Sequence, residues 1–117
     1  MKKIAIAGLQ REQIRQQILP FSDQFEVHIL NDMEAASRVK SGDLDFYIGC
    51  CNTGAGAALS IAMAIIGFDK CCTIAKPSVQ AKPDEVAGFV SDGKVAFGLS
   101  VEHVEHAIPI LMSALSR

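Results

Sequence analysis

Long apolar stretches are missing from this chain, and so are clusters of basic residues and any regular cysteine spacing. The most apolar run, AALSIAMAIIG, falls well short of the roughly 20 apolar residues that a bilayer crossing needs. At the amino end two lysines precede an apolar run in MKKIAIAG, but that run is shorter than a signal-peptide core of about 7–15 residues and reads as a first β-strand. Lysines and arginines are scattered and the formal charge is −2, so the concentrated basic face that nucleic acids require is not there. Neither membrane nor nucleic acid is an expected partner, and the chain reads as soluble and cytoplasmic. The cysteines come as two adjacent pairs, Cys50-Cys51 and Cys71-Cys72. Adjacent pairs match neither a secreted disulfide framework nor zinc-ligand spacing. No metal and no organic cofactor is expected.

What is present is a strongly alternating pattern. Half of the 117 residues are hydrophobic, enough for one domain over 1–117 with a real core. KIAIAGL, FEVHIL, LDFYIGC, CCTIAK and VAFGLS read as strands. REQIRQQIL, DMEAASRVKSG, AALSIAMAIIG and KPDEVAGFVSDGK read as the helices between them. A last helix follows in VEHVEHAIPILMSALSR, where Val101, Val104, Ile108, Leu111 and Leu115 fall on one stripe and Pro109 predicts a kink or a fresh helical start. Strict alternation implies parallel strands joined by right-handed crossovers. The expected fold is an α/β three-layer sandwich with a five-stranded parallel sheet in the flavodoxin-like order 2-1-3-4-5. Such sheets bind ligands beyond the carboxyl ends of the strands. The residues that follow each strand are Gln10 and Arg11, Asn31 and Asp32, Cys51 to Gly56, Lys76 to Ser78, and Ser100 to His103.

The segment CNTGAG, Cys51 to Gly56, lies where the third strand becomes the third helix. Gly54 and Gly56 permit positive φ and close backbone approach, and the first turn of a helix offers unpaired N–H groups to an anion. Two readings stand: a cradle for a phosphate, carboxylate or enediolate, in which Asn52, Thr53, Gly54, Ala55 and Gly56 touch the ligand, or a tight connection that lets the helix pack on the sheet. It is neither a P-loop nor a dinucleotide fingerprint. Helix N-termini favour the thiolate form of a neighbouring cysteine, so Cys51 is the candidate base or nucleophile. Strand alternation turns Cys50 to the opposite face. Cys71 and Cys72 begin the fourth strand, near the other end of the sheet.

GLQREQI, NDMEAA, CNTGAGAALSIA, CTIAKP and KVAFGLSVEHVEHAIP together resemble the YhfU family of uncharacterised bacterial proteins, over nearly the whole chain. DFYIGCCNTGAGAALSIAMAIIGFDKCCTIA is also similar to one segment of ribose-5-phosphate isomerase B. There a strand ends in Cys-Gly-Thr-Gly-x-Gly and continues as a Ser-Ile-Ala helix. That resemblance implies that Cys51 matches the base moving a proton between C1 and C2 of a sugar phosphate. It further implies that Thr53, Gly54 and Gly56 match the loop stabilising the enediolate. Asn52 departs from it by replacing the first loop glycine, GLQRE departs by replacing an Asp-His pair, and no internal arginine lies late in the chain.

Glu102 and His103, at the start of the last helix, are candidates for acid–base work, with Ser100 as the helix cap. Lys76 is the best-placed cation for an anionic ligand and Arg11 the second, with Gln10 beside it. The third helix has Ser60 as its one polar side chain, and Leu59, Met63 and Ile66 leave it no wet face, so a homo-oligomer through this helix is expected. The resulting expectation is a protein that binds a small anionic metabolite, a sugar phosphate, at the CNTGAG loop with isomerase-like proton transfer by Cys51. A non-catalytic metabolite sensor or accessory subunit is the alternative. A phosphocarrier of the phosphotransferase IIB type is remote, because its cysteine follows the first strand, where this chain has Gly8-Leu9.

Overall fold

The computed structural model describes residues 1–54 and 56–117. Its strands are β1 (Lys2–Gly8), β2 (Phe25–Ile29), β3 (Phe46–Cys51), β4 (Cys71–Ala75) and β5 (Ala96–Ser100). Between and after them come α1 (Arg11–Ile18), α2 (Asp32–Lys40), α3 (Ala57–Ile65), α4 (Pro83–Ser91) and α5 (Val104–Leu115). Local chemistry sets several boundaries. The Asn31 side chain accepts the Glu34 N–H at 2.9 Å and caps α2, leaving Asp32 as its first helical residue. Proline opens α4, where its missing N–H costs nothing. A 3-10 turn, Val101–His103, precedes α5, which runs through Pro109 without interruption. The expected fresh start at that proline is not needed: one intrahelical donor is lost, while Val104, Ile108, Leu111 and Leu115 stay buried along one side.

All five strands are parallel and stand in the order β2-β1-β3-β5-β4. The three-layer parallel sandwich is therefore as expected, but its last two strands are exchanged relative to the flavodoxin-like order. The periodicities of CCTIA and AFGLS are too alike to rank. Their surroundings are not. Every residue of β5 is buried, as an interior strand demands. β4 carries a half-buried Thr73, loses register between Thr73 and Ala75, and is followed by Pro77, which suits an edge. Just past it, Lys76 and Val79 exchange both backbone hydrogen bonds, at 3.0 and 2.9 Å, in a small antiparallel bridge.

The exchange moves a helix. From β3 the chain steps over β5 to β4, then returns to β5. A right-handed crossover made in the returning direction places its helix on the opposite face. So α2 and α3 cover one face, over Ala5, Ala7, Tyr47 and Ala96. The other face, with Ile4, Ile6, Ile48, Phe97 and Leu99, carries α1, α4 and α5. At its carboxyl end β3 therefore has a neighbour on each side, β1 and β5, whose following helix leaves on the face opposite to α3. Among the described residues no helix is long and apolar enough to cross a membrane.

α3 lies on a groove made by glycines: Gly49 and Gly98 are register partners on β3 and β5. A Cβ at Gly49 would stand 3.0 Å from that of Ala58, and one at Gly98 would stand 2.9 Å from Leu59 Cδ2 and collide with the carbonyl oxygen of Gly54. Gly98→Ala should therefore destabilise the fold by about 1–3 kcal/mol in chemical denaturation. Gly88→Ala, in the exposed interior of α4 with nothing within 4 Å of the added carbon, should instead stabilise it by about 0.5–1 kcal/mol.

Candidate functional site

Cys51 ends β3 with its side chain on the α3 face, while Cys50 joins the core on the other. The chain then folds back over the ends of β5 and β4. Gly54 takes φ +81°, and a Cβ there would stand 2.5 Å from the carbonyl oxygen of Ala75, so no side chain fits. Its carbonyl accepts the Thr73 hydroxyl at 3.0 Å. Held this way, the loop turns two N–H groups inward, and both donate to the sulfur of Cys51: Gly54 at 3.1 Å and Gly56 at 3.0 Å. The Thr53 hydroxyl lies 3.9 Å from the same atom. The group these amides face is thus within the chain. Ala55, the remaining loop residue expected to touch a ligand, lies outside the described residues.

The other cysteines sit differently. All four are free thiols. Burial pushes Cys50 and Cys72 up to about 12. Burial also raises Cys71, whose thiol donates to the Gly67 carbonyl at 3.3 Å. Tyr47 is fully buried in the core on the same face as Cys51. Its hydroxyl donates to the Ala58 carbonyl at 2.5 Å, and burial, then the nearby Asp32 carboxylate, keep it protonated.

A cavity of about 400 Å³ opens beside Cys51, lined by Gly8, Leu9, Asp32, Asn52, Thr53 and Gly56 among others. Asp32 accepts the Gly8 N–H at 3.0 Å, which fixes its carboxylate at the end of β1. Position after a strand marks Asp32 in the sequence, but no short-range pattern links it to Gly8 or Cys51. Packing α2 beside α3 is what brings it in. Beyond Gly8 and Leu9 lies a second hollow, of about 440 Å³, lined by Gln10 and Arg11. Gln10 takes φ +57° as the cap of α1, and the Arg11 guanidinium donates to the Leu30 carbonyl at 3.2 Å.

Glu102, His103 and Lys76 are not part of this cavity. His103 is buried and its Nε2 is paired with the Lys76 carbonyl at 2.8 Å, while Glu102 accepts the Ser78 N–H at 3.2 Å. They fasten the segment between β4 and α4, which lines a separate hollow of about 630 Å³. Ser100 makes no side-chain cap, contrary to expectation: its hydroxyl is fully buried without a hydrogen-bond partner among the described residues. Its register position turns it to the α3 face, the side of Cys51. Among the described residues no group of three or more His, Cys, Asp or Glu could hold a metal ion.

A family described as "Protein of unknown function DUF2620" matches residues 2–115. Proteins named "Uncharacterized protein YhfU" from Escherichia coli strain K12 and from Shigella flexneri are each 66% identical over 116 residues, covering 98% of this chain and 99% of theirs. Among solved structures, type B ribose 5-phosphate isomerase of Trypanosoma brucei superposes with a TM-score of 0.75 at 15% identity, covering 98% of this chain and 85% of its own. The same enzyme of Trypanosoma cruzi gives 0.74 at 14% identity, covering 97% and 84%. At that identity the likeness is one of fold.

The thiol environments generate a direct expectation. In folded protein at neutral pH, iodoacetamide should modify Cys51 at least tenfold faster than Cys50 or Cys72, since the thiolate is the nucleophile and burial disfavours it at the latter two. Peptide mapping by mass spectrometry checks this. Equal modification of all four would remove the distinction.

Proposed function

We propose that this chain, which belongs to the DUF2620 family, binds a small sugar phosphate beside Cys51 and moves a proton between its C1 and C2 carbons. The observation that carries this reading is the pair of backbone N–H groups converging on the Cys51 sulfur at the mouth of a cavity. Oriented amides of this kind hold negative charge on their acceptor. The fold shared with type B ribose 5-phosphate isomerases supports the substrate class.

The chemistry runs as follows. The Cys51 thiolate takes the C2 proton of an open-chain aldose phosphate, and the electron pair moves through C1 onto the carbonyl oxygen, giving an enediolate. Asp32, lining the same cavity, carries a proton from O2 to O1. The proton held on sulfur returns to C1, and the C2 carbonyl forms. Asn52 and Thr53 supply contacts to sugar hydroxyls. Arg11, beyond Gly8 and Leu9, is the cation for the phosphate end. A reducing cytoplasm would keep the four cysteines as free thiols.

One observation favours the sensor reading instead: among the described residues no lysine, arginine or histidine lines the Cys51 cavity itself. Proton exchange separates the two. With a panel of aldose and ketose phosphates in deuterated water, the wild type should exchange a C1 or C2 proton with solvent, detected by NMR. Cys51→Ala should lose this by at least about 100-fold, and Asp32→Asn by a smaller factor. Ligand binding without exchange across the panel would leave a sensor.

We also propose that a second copy of the chain covers α3. From Ala57 to Gly67 there is no charged side chain. Ala57, Ser60 and Ala64 are exposed, Ile61, Met63, Ile65 and Ile66 are half-buried, and Phe68 is 76% exposed. Leu59, expected at this surface, is fully buried against the sheet instead, because its position on the helix faces Gly98. Light scattering at tens of micromolar should give at least a dimer. Ala64→Glu, which alters only the exposed side, should weaken association at least tenfold. A monomeric wild type would refute the claim.

A further inference from the structure

We propose that Ser100 is a positioning residue for Cys51, its hydroxyl a third donor available to the thiolate. The inference rests on the reading of Cys51 as the working thiol. Ser100 is fully buried and its Oγ has no hydrogen-bond partner among the described residues. A buried hydroxyl left unpaired is costly, and alanine at this place would avoid the cost, so the group calls for a role beyond packing. The usual role at the end of a strand, capping the following turn, is not the one it fills.

Its location supplies the alternative. Ser100 and Cys51 are register partners on adjacent parallel strands. Paired residues lie about 4.8 Å apart and share a face, and that face is the α3 side, since Tyr47 and Ala96, earlier partners with the same parity, both pack there. The loop closing over the sulfur also passes near Ser100: a Cβ on Gly54 would be 3.4 Å from the Ser100 nitrogen. In the thiolate state the hydroxyl would turn about its side-chain bond to aim at the sulfur. A neutral thiol, already receiving two N–H groups, gains little from a third donor. A thiolate gains a charge-assisted hydrogen bond. The hydroxyl is thus idle in one protonation state of Cys51 and engaged in the other.

Alkylation kinetics of Ser100→Ala test this. At neutral pH the variant should react with iodoacetamide at Cys51 about tenfold more slowly than wild type. The two rates should converge in alkaline solution, where the thiol is ionised without assistance, and the variant should melt no lower than wild type. Ser100→Thr, which keeps the hydroxyl, should restore much of the neutral-pH rate. An unchanged neutral-pH rate in Ser100→Ala would overturn the inference while leaving Cys51 as the reactive thiol. So would a lower melting temperature with faster labelling of all four cysteines, which would make the hydroxyl a packing element. If wild-type Cys51 is not labelled ahead of Cys50 and Cys72, the reading of Cys51 falls first and this inference with it.

Discussion

The close approach of Gly54 to β5 is the contact on which the rest depends. Its carbonyl oxygen occupies the space where a side chain on residue 98 would be, and residue 54 can take its own conformation only without a side chain. Two absent Cβ atoms, on different elements, let one peptide sit directly on the sheet. Thr73 then fixes that peptide through its carbonyl, and the N–H on the other side of the same residue is aimed at sulfur. Thr73, on β4, thereby orients an amide that faces the Cys51 sulfur. The amide from Gly56 completes the arrangement, because α3 can start only where the loop has been seated.

The exchanged strand order gives this contact its setting. With β5 interior, the loop after β3 lies over a strand that is buried along its whole length, and Gly98 is available beneath it. With β4 interior, as in the flavodoxin-like order, Thr73 would occupy that place and its hydroxyl would be beneath the loop instead of beside it. The same exchange sends α4 to the far face, so that α2 and α3 stand alone on the side where Cys51 opens. Asp32 enters the cavity from the first turn of α2.

The sequence carries the alternation of strands and helices plainly, because each buried strand is an apolar run and each helix has its caps or stripe. It also separates Cys50 from Cys51, since a strand has a period of two and the residues differ by one. The strand order was not legible, because CCTIA and AFGLS present nearly the same hydrophobicity and differ in what they pair with. Nor does position after a strand show which groups Glu102 and His103 meet. Both follow a strand, but they bond the segment after β4, which only their side-chain partners reveal, since β4 stands beside β5 in either order. Asp32 needed α2 placed beside α3 before it could be connected to anything, and the orphan hydroxyl of Ser100 needed a count of partners that no spacing rule supplies.

The small bridge between Lys76 and Val79 bears on how the molecule behaves in a crowded solution. A parallel sheet has two open sides, each a row of N–H and C=O groups able to accept a foreign strand. At one side, where β4 ends, the chain spends those groups on itself, and Pro77 has no N–H to offer. At the other, β2 is short and carries Glu26 and His28, which pair with each other across 2.6 Å. Growth of the sheet by strand addition is thereby discouraged at both margins. Any self-association is left to the helical faces, where it would stop at a closed, finite number of copies.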